Sequence, residues 1–192
     1  MIIGKKAFRI VIMLVLGIVV FYFLFYLVML SSCYQMQRYT DANDFQAVIQ
    51  KVHGADGHMP STEELGNYTS VELCHKETKY VFSKTNSLTL KATYTAVEFE
   101  KEFDRINAEF SFVNKAKEGL PDYSAVINGY EIRIVSKSES MGNGYFYDYP
   151  KCFIMIGVNK EACSIVYMYH YDSELDKIKD LDAFVKKHYA LP

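Results

Sequence analysis

The chain has 192 residues, with 21 basic and 23 acidic side chains and half of its residues hydrophobic. Only three basic and no acidic residues precede Tyr34, so the rest carries 18 basic against 23 acidic residues, a net of −5. That balance argues against nucleic acid as a partner and against charge-driven binding to anionic lipid.

Residues 10–30, IVIMLVLGIVVFYFLFYLVML, run for 21 residues without a charge or a proline. As a helix at about 1.5 Å per residue they reach roughly 31 Å, close to the ~30 Å hydrocarbon thickness of a bilayer. Lys5, Lys6 and Arg9 stand before the run, and only Arg38 comes soon after it. The positive-inside bias therefore places the N-terminus in the cytoplasm and the remainder outside. The length of the run and its aromatic end (Phe21, Tyr22, Phe23, Phe25, Tyr26) suit an uncleaved signal-anchor, because a removed signal has an apolar core of only ~7–15 residues. The alternative is lipid attachment at Cys33. Leu30-Ser31-Ser32-Cys33 resembles a bacterial lipobox, in which small residues before an acylated cysteine direct cleavage. Either route tethers the C-terminal remainder of the chain to the membrane.

With residues 1–33 as anchor or leader and 34–41 as a polar linker, residues 42–192 make one extracytoplasmic domain of ordinary size. Phe45, Val48, Ile49 and Val52 recur at helical spacing, and Asp41 and Gly54 punctuate a helix over about 42–53. Glycines and Pro60 then mark a surface loop with one helical turn at 62–65. Alternation replaces the helical period from Val71, through Tyr80 and Phe82, to Leu88, Leu90, Ala92 and Tyr94, which predicts three antiparallel strands with one dry face. Thr95 and Glu98 form a capping box ahead of the apolar stripe Phe99, Phe103, Ile106, Phe110. Glu100, Lys101, Asp104 and Arg105 lie off that stripe, as a solvated face.

Asn128-Gly129 between 123–127 and 130–135 is a strong hairpin signal. Gly142-Asn143-Gly144 is a second turn, and Tyr145–Tyr149 is extended up to Pro150. Residues 152–158 are almost wholly apolar, as in a central strand covered on both faces. They turn at Asn159-Lys160-Glu161 into a partner over 163–171. Ser173 caps a last helix with Leu175, Ile178, Leu181, Phe184 and Val185 inward, and Asp180 or Asp182 is placed to break it. The order describes an α+β domain, an antiparallel sheet with about three helices packed on one face.

No constellation frames a reaction. Cys74 and His75 are strand neighbours and point to opposite faces. His53, His58, His75, His170 and His188 form no HExxH or His-x3-His motif, so neither a metal nor a cofactor is expected. Cys74, Cys152 and Cys163 lack a framework spacing and read as unpaired thiols rather than a bridge. Asn67-Tyr68-Thr69 fits a glycosylation sequon, a pattern of low specificity. The most unusual feature is aromatic density: Tyr145, Tyr147, Tyr149, Tyr167, Tyr169 and Tyr171 fall on adjacent strands, where they either pack across the sheet or form a recognition surface.

The segment HMPSTEELGNYTSVEL (58–73), the hairpin after it and the helix VEFEKEFDRINAEF (97–110) resemble a group of membrane-anchored or lipoprotein-like proteins of Gram-positive bacteria with no known activity. The expected function is a membrane-tethered extracytoplasmic binding or cell-envelope accessory protein, with the lipid bilayer and an envelope protein or glycan as partners. One alternative is an enzyme built around Tyr147, Asp148, His170 and Asp172. Another is a sensor or subunit of a membrane complex, although Gly17 is the only small residue of the span and no GxxxG is present.

Overall fold

The computed structural model describes residues 4–30, 33–52, 54–79, 83–114, 123–136, 151–172, 178, 180–189 and 191. Helix α1 (Lys5–Leu30) leads the chain, and its side chains from Phe8 to Val28 are all exposed. It adds nothing to the core. Among the described residues it is the one helix long and apolar enough to cross a membrane, a description that an anchor and a signal sequence both meet.

The rest is α+β. Strands β1 (Cys33–Tyr39), β2 (Tyr68–Lys79), β3 (Lys84–Tyr94), β4 (Ser124–Ile127), β5 (Tyr130–Ile134), β6 (Lys151–Asn159) and β7 (Ser164–Asp172) form one sheet in the order β1-β2-β3-β7-β6-β5-β4. Every pairing in it is antiparallel. Residues 34–41 are therefore not a linker: all but the last two belong to β1. That strand escapes pattern recognition because it is an edge, with residues 35–38 exposed, so no apolar alternation marks CYQMQRY; backbone pairing with β2, the Arg38–Glu72 ion pair and Tyr39 against the core hold it. Tyr68–Lys79 is one long strand rather than two, and Tyr80 and Phe82 lie outside the described residues.

The helices obey their sequence signals. Asp41 caps α2 (Ala42–Lys51) by accepting from the Asn43 amide at 2.9 Å. A 3₁₀ turn comes next at Ala55–Gly57. Ser61 and Glu64 cap each other reciprocally at the expected turn, the Ser61 amide donating at 2.7 Å and the Glu64 amide at 3.3 Å. Thr95 caps α3 (Ala96–Glu109). Asp180, one of the two positions where a break is expected, caps a helix start: its carboxylate accepts from the Ala183 amide at 2.9 Å ahead of α4 (Leu181–His188). Ser173 and Leu175 lie outside the described residues. Asn128 (φ 50°) and Gly129 (φ 80°) make the two left-handed positions of the β4–β5 hairpin.

The helices divide between the two faces of the sheet, which corrects the expectation of one covered face. On β7, Tyr167 points to α3 and His170, of opposite parity, to α4. The physical reason is in β6 and β7: residues 154–158 and 164–170 are buried at every position, so both faces need cover. Helix α4 packs on β4, while the Lys187 carbonyl accepts from Lys76 of β2, five strands away.

Candidate functional site

The α3 face holds a buried charged network. Glu102 falls between Phe99 and Ile106 on the inward side of α3 and is buried. Its carboxylate is held by Arg105 in a two-toothed pair, Nε to Oε2 at 2.8 Å and Nη2 to Oε1 at 2.7 Å. It also accepts from the Tyr167 hydroxyl, to which Arg105 Nη2 donates at 3.2 Å. Arg105 Nη1 reaches Glu109 as well. Such a pair is a fixed feature, because separating it strands a charge in the core. Burial and the adjacent Glu102 carboxylate push the Tyr167 hydroxyl well above its ordinary range, so it stays protonated and donates. Arg105 is thus not simply part of the solvated face with Glu100, Lys101 and Asp104, which are exposed. The readable signal was position: Glu102 is three residues from Phe99 and four from Ile106, inside the apolar stripe.

Arg105 and Glu109 form one wall of a cleft of about 360 Å³. Asp56, His58, Glu64, Val135 and Ile154 also line it. The His58 ring stacks on Tyr169, with centroids 6.1 Å apart, and this tethers the loop that carries Asp56 to the sheet. Four of the five Arg105 donor hydrogens are engaged by the network, so the guanidinium offers a single one to a ligand. Three carboxylates (Asp56, Glu64, Glu109) face one arginine. This chemistry suits hydroxyl and amino groups and disfavours phosphate or carboxylate.

The cleft and its network stand on their own geometry. No protein-family model, curated protein or solved structure matches the chain.

The sequence-predicted residues are distributed differently. Tyr167 and Tyr169 are 1% and 0% exposed beneath α3 and the loop around His58, so they are not a recognition surface. Strands buried on both faces turn their tyrosines into core side chains. Tyr171 is half-buried, and Tyr145, Tyr147 and Tyr149 lie outside the described residues. Of the enzyme alternative, Tyr147 and Asp148 lie there too, while His170 is sealed under α4 with Phe184 and His188 at ring distances of 4.8 and 4.9 Å. Its Nδ1 lies 3.1 Å from the Ser87 hydroxyl, a serine-histidine contact with both members buried and out of a substrate's reach. Burial holds His170 well below the ordinary histidine range, and burial with nearby Lys187 and Lys76 brings His188 to about 4.

Cys74, Cys152 and Cys163 are free thiols, and burial pushes the Cys74 thiol up and makes it inert. His75 Nε2 sits 3.0 Å from the Asn86 side-chain oxygen on the face opposite Cys74, so the two neighbours do not meet. Among the described residues, no group of three histidine, cysteine or acidic side chains is arranged to hold a metal. Cys33 is the first residue of β1.

Proposed function

We propose that the protein is a membrane-tethered binding or envelope accessory protein whose folded domain lies outside the cytoplasmic membrane and takes a hydroxyl- or amine-bearing ligand in the cleft beside α3. The observation that carries this reading is α1: a 26-residue helix with an exposed apolar surface and no share in the core has no role in folding the domain. Lys5, Lys6 and Arg9 before it support a cytoplasmic N-terminus. The charge of the cleft and its single spare arginine donor support an envelope glycan or an amine-bearing peptide over an anionic metabolite.

Membrane fractionation with protease digestion is the test. The full chain is expected in the membrane pellet, with its C-terminal part digested once the envelope is opened and the cytoplasmic membrane left sealed. Recovery in the aqueous fraction, or a C-terminal part protected in sealed vesicles of native orientation, would refute the reading. A pull-down from detergent-solubilised membranes is expected to recover an envelope component, and Arg105→Ala to lose it. A pull-down that recovers no protein, lipid or glycan counts against a binding role.

A further inference from the structure

A second cleft, of about 340 Å³, shares no lining residue with the first. Phe103 and Asn107 of α3, Glu131 and Arg133 of β5, and Lys160 and Glu161 of the β6–β7 turn line it. Strand parity brings these side chains together. Glu131 pairs with Val158 and Val158 with Ile165, which has the parity of Tyr167, so Glu131 and Arg133 stand on the α3 face of β5. Phe103 and Asn107, one turn apart, share a side of α3. Asn159 fixes the turn between β6 and β7, its Oδ1 accepting from the Ala162 amide at 3.0 Å.

Both cations of this cleft lie against aromatic rings rather than carboxylates. The guanidinium carbon of Arg133 is 4.0 Å from the centre of the Phe112 ring, and Lys160 Nζ is 4.8 Å from that of Phe103. Asn107 holds Arg133 at its edge. Its amide nitrogen donates to the Phe103 carbonyl at 2.9 Å, which turns Oδ1 toward Arg133 Nη2 at 3.3 Å. Four of the five guanidinium donor hydrogens remain open. Among the described residues, no ion pair joins Arg133 or Lys160 to Glu131, Glu161 or any other carboxylate. The contrast lies on the same helix, where Lys101 and Arg105 are paired with Glu98, Glu102 and Glu109. The cleft is neutral in sum, with two charges of each sign left to a ligand.

We propose that this cleft binds a zwitterionic ligand, an amino acid or short peptide, with its carboxylate on Arg133 and Lys160 and its ammonium group on Glu131 and Glu161. A simple anion would meet the two carboxylates and a simple cation the two basic groups, so a ligand with both signs gains most. Glu131 and Arg133 stand two residues apart on one face of β5, about 7 Å, so charges a few bonds apart reach both. Phe103 and Val158 add apolar contact, and the volume falls at the small end of the ~300–1,000 Å³ range of small-molecule sites. Because Phe112 and Asn107 already hold Arg133 in place, little side-chain freedom is lost on binding. The site depends neither on the first cleft nor on the membrane role of α1.

The test titrates the full-length protein in detergent micelles with the dipeptide alanyl-alanine, read by backbone amide chemical shifts. Saturable shifts are expected at Gly129, Asn159 and Glu161, and none at Gly57 and Ser111 of the first cleft. N-acetyl-alanyl-alanine, which lacks the ammonium group, and alanyl-alanine amide, which lacks the carboxylate, should each bind at least about tenfold more weakly through loss of charge-assisted contacts. Glu131→Gln should shift the preference toward the acetylated dipeptide and Arg133→Gln toward the amide. Opposite shifts of that kind would not come from a loosened structure, and far-ultraviolet circular dichroism checks that both variants keep the fold. The comparison of the three dipeptides on the unaltered protein stands whether or not a variant folds. Equal binding of all three, shifts confined to the first cleft, or no saturable shift at millimolar dipeptide overturns the proposal.

Discussion

Two tyrosines on the α3 face of the sheet make a paired test of the buried network. Tyr167 donates to Glu102, whereas the Tyr94 hydroxyl, also buried, has no hydrogen-bond partner among the described residues. Removing the oxygen from each by substitution with phenylalanine is the same chemical change on the same face. It should move stability in opposite directions. Tyr167→Phe deletes a hydrogen bond to a charged group and should cost about 1.5–3 kcal/mol. For a domain of this size each kcal/mol shifts Tm by about 2–4 °C, so a fall of about 3–12 °C is expected. Tyr94→Phe removes a desolvated, unsatisfied hydroxyl and should stabilise by about 1 kcal/mol, with Tm rising by about 2–4 °C. The measurement is urea and thermal unfolding of the full chain in detergent, monitored by far-ultraviolet circular dichroism because the chain has no tryptophan. Losses of equal size in both variants would refute the assignment of partners, and an unchanged Tyr167→Phe would show that Arg105 alone satisfies Glu102.

Three further outcomes are expected from the same packing. Arg105→Met should cost about 3–5 kcal/mol by stranding the Glu102 carboxylate, and adding Glu102→Gln should recover much of that loss; additive losses would mean that the two do not form a pair. Gly157→Ala should cost about 1–3 kcal/mol, because the new methyl would sit 2.6 Å from a Val166 methyl and 3.1 Å from Ile132; a loss under about 0.5 kcal/mol would contradict the tight approach of β6 to β5 and β7. The buried histidines should make the domain acid-sensitive. Folded pKa values of His170 and His188 lie below the unfolded value of about 6.5, so the unfolded chain binds more protons as pH falls, and stability present above pH 6.5 declines toward pH 4. His188, brought to about 4 and only partly buried, contributes the part of that decline that falls between pH 6.5 and 4. A flat stability profile between pH 7.5 and 4.5 would sink that account, and His188→Gln should shrink the slope.

Where a residue's local pattern and its tertiary environment agree, the sequence is a sufficient guide. The stripe and Thr95 cap of α3, the Asp41 cap, the Asn128-Gly129 hairpin and the doubly buried β6 all belong to this class. The misreadings share one cause, which is that a side chain's environment depends on what another part of the chain lays over it. Strand β1 has no pattern because one backbone edge, not a face, is what it contributes. Tyr167 and Tyr169 look suited to a surface until α3 and the His58 loop cover them. Glu102 looks solvated by type and buried by position, and position prevails because Arg105 and Tyr167 meet its charge. The cleft was least legible of all, since its walls come from the 3₁₀ turn, the Ser61–Glu64 turn and the end of α3, which no local period relates.

The fate of Cys33 bears on the tether but not on the architecture. Because the described side chains of α1, from Phe8 to Val28, are all exposed, cleavage before Cys33 would remove them without opening the core. Acylation of Cys33 would then attach lipid to the first residue of β1, the same corner of the sheet to which the intact helix delivers the chain. The mass of the mature chain separates them, since an acylated form begins at Cys33 and lacks the preceding 32 residues.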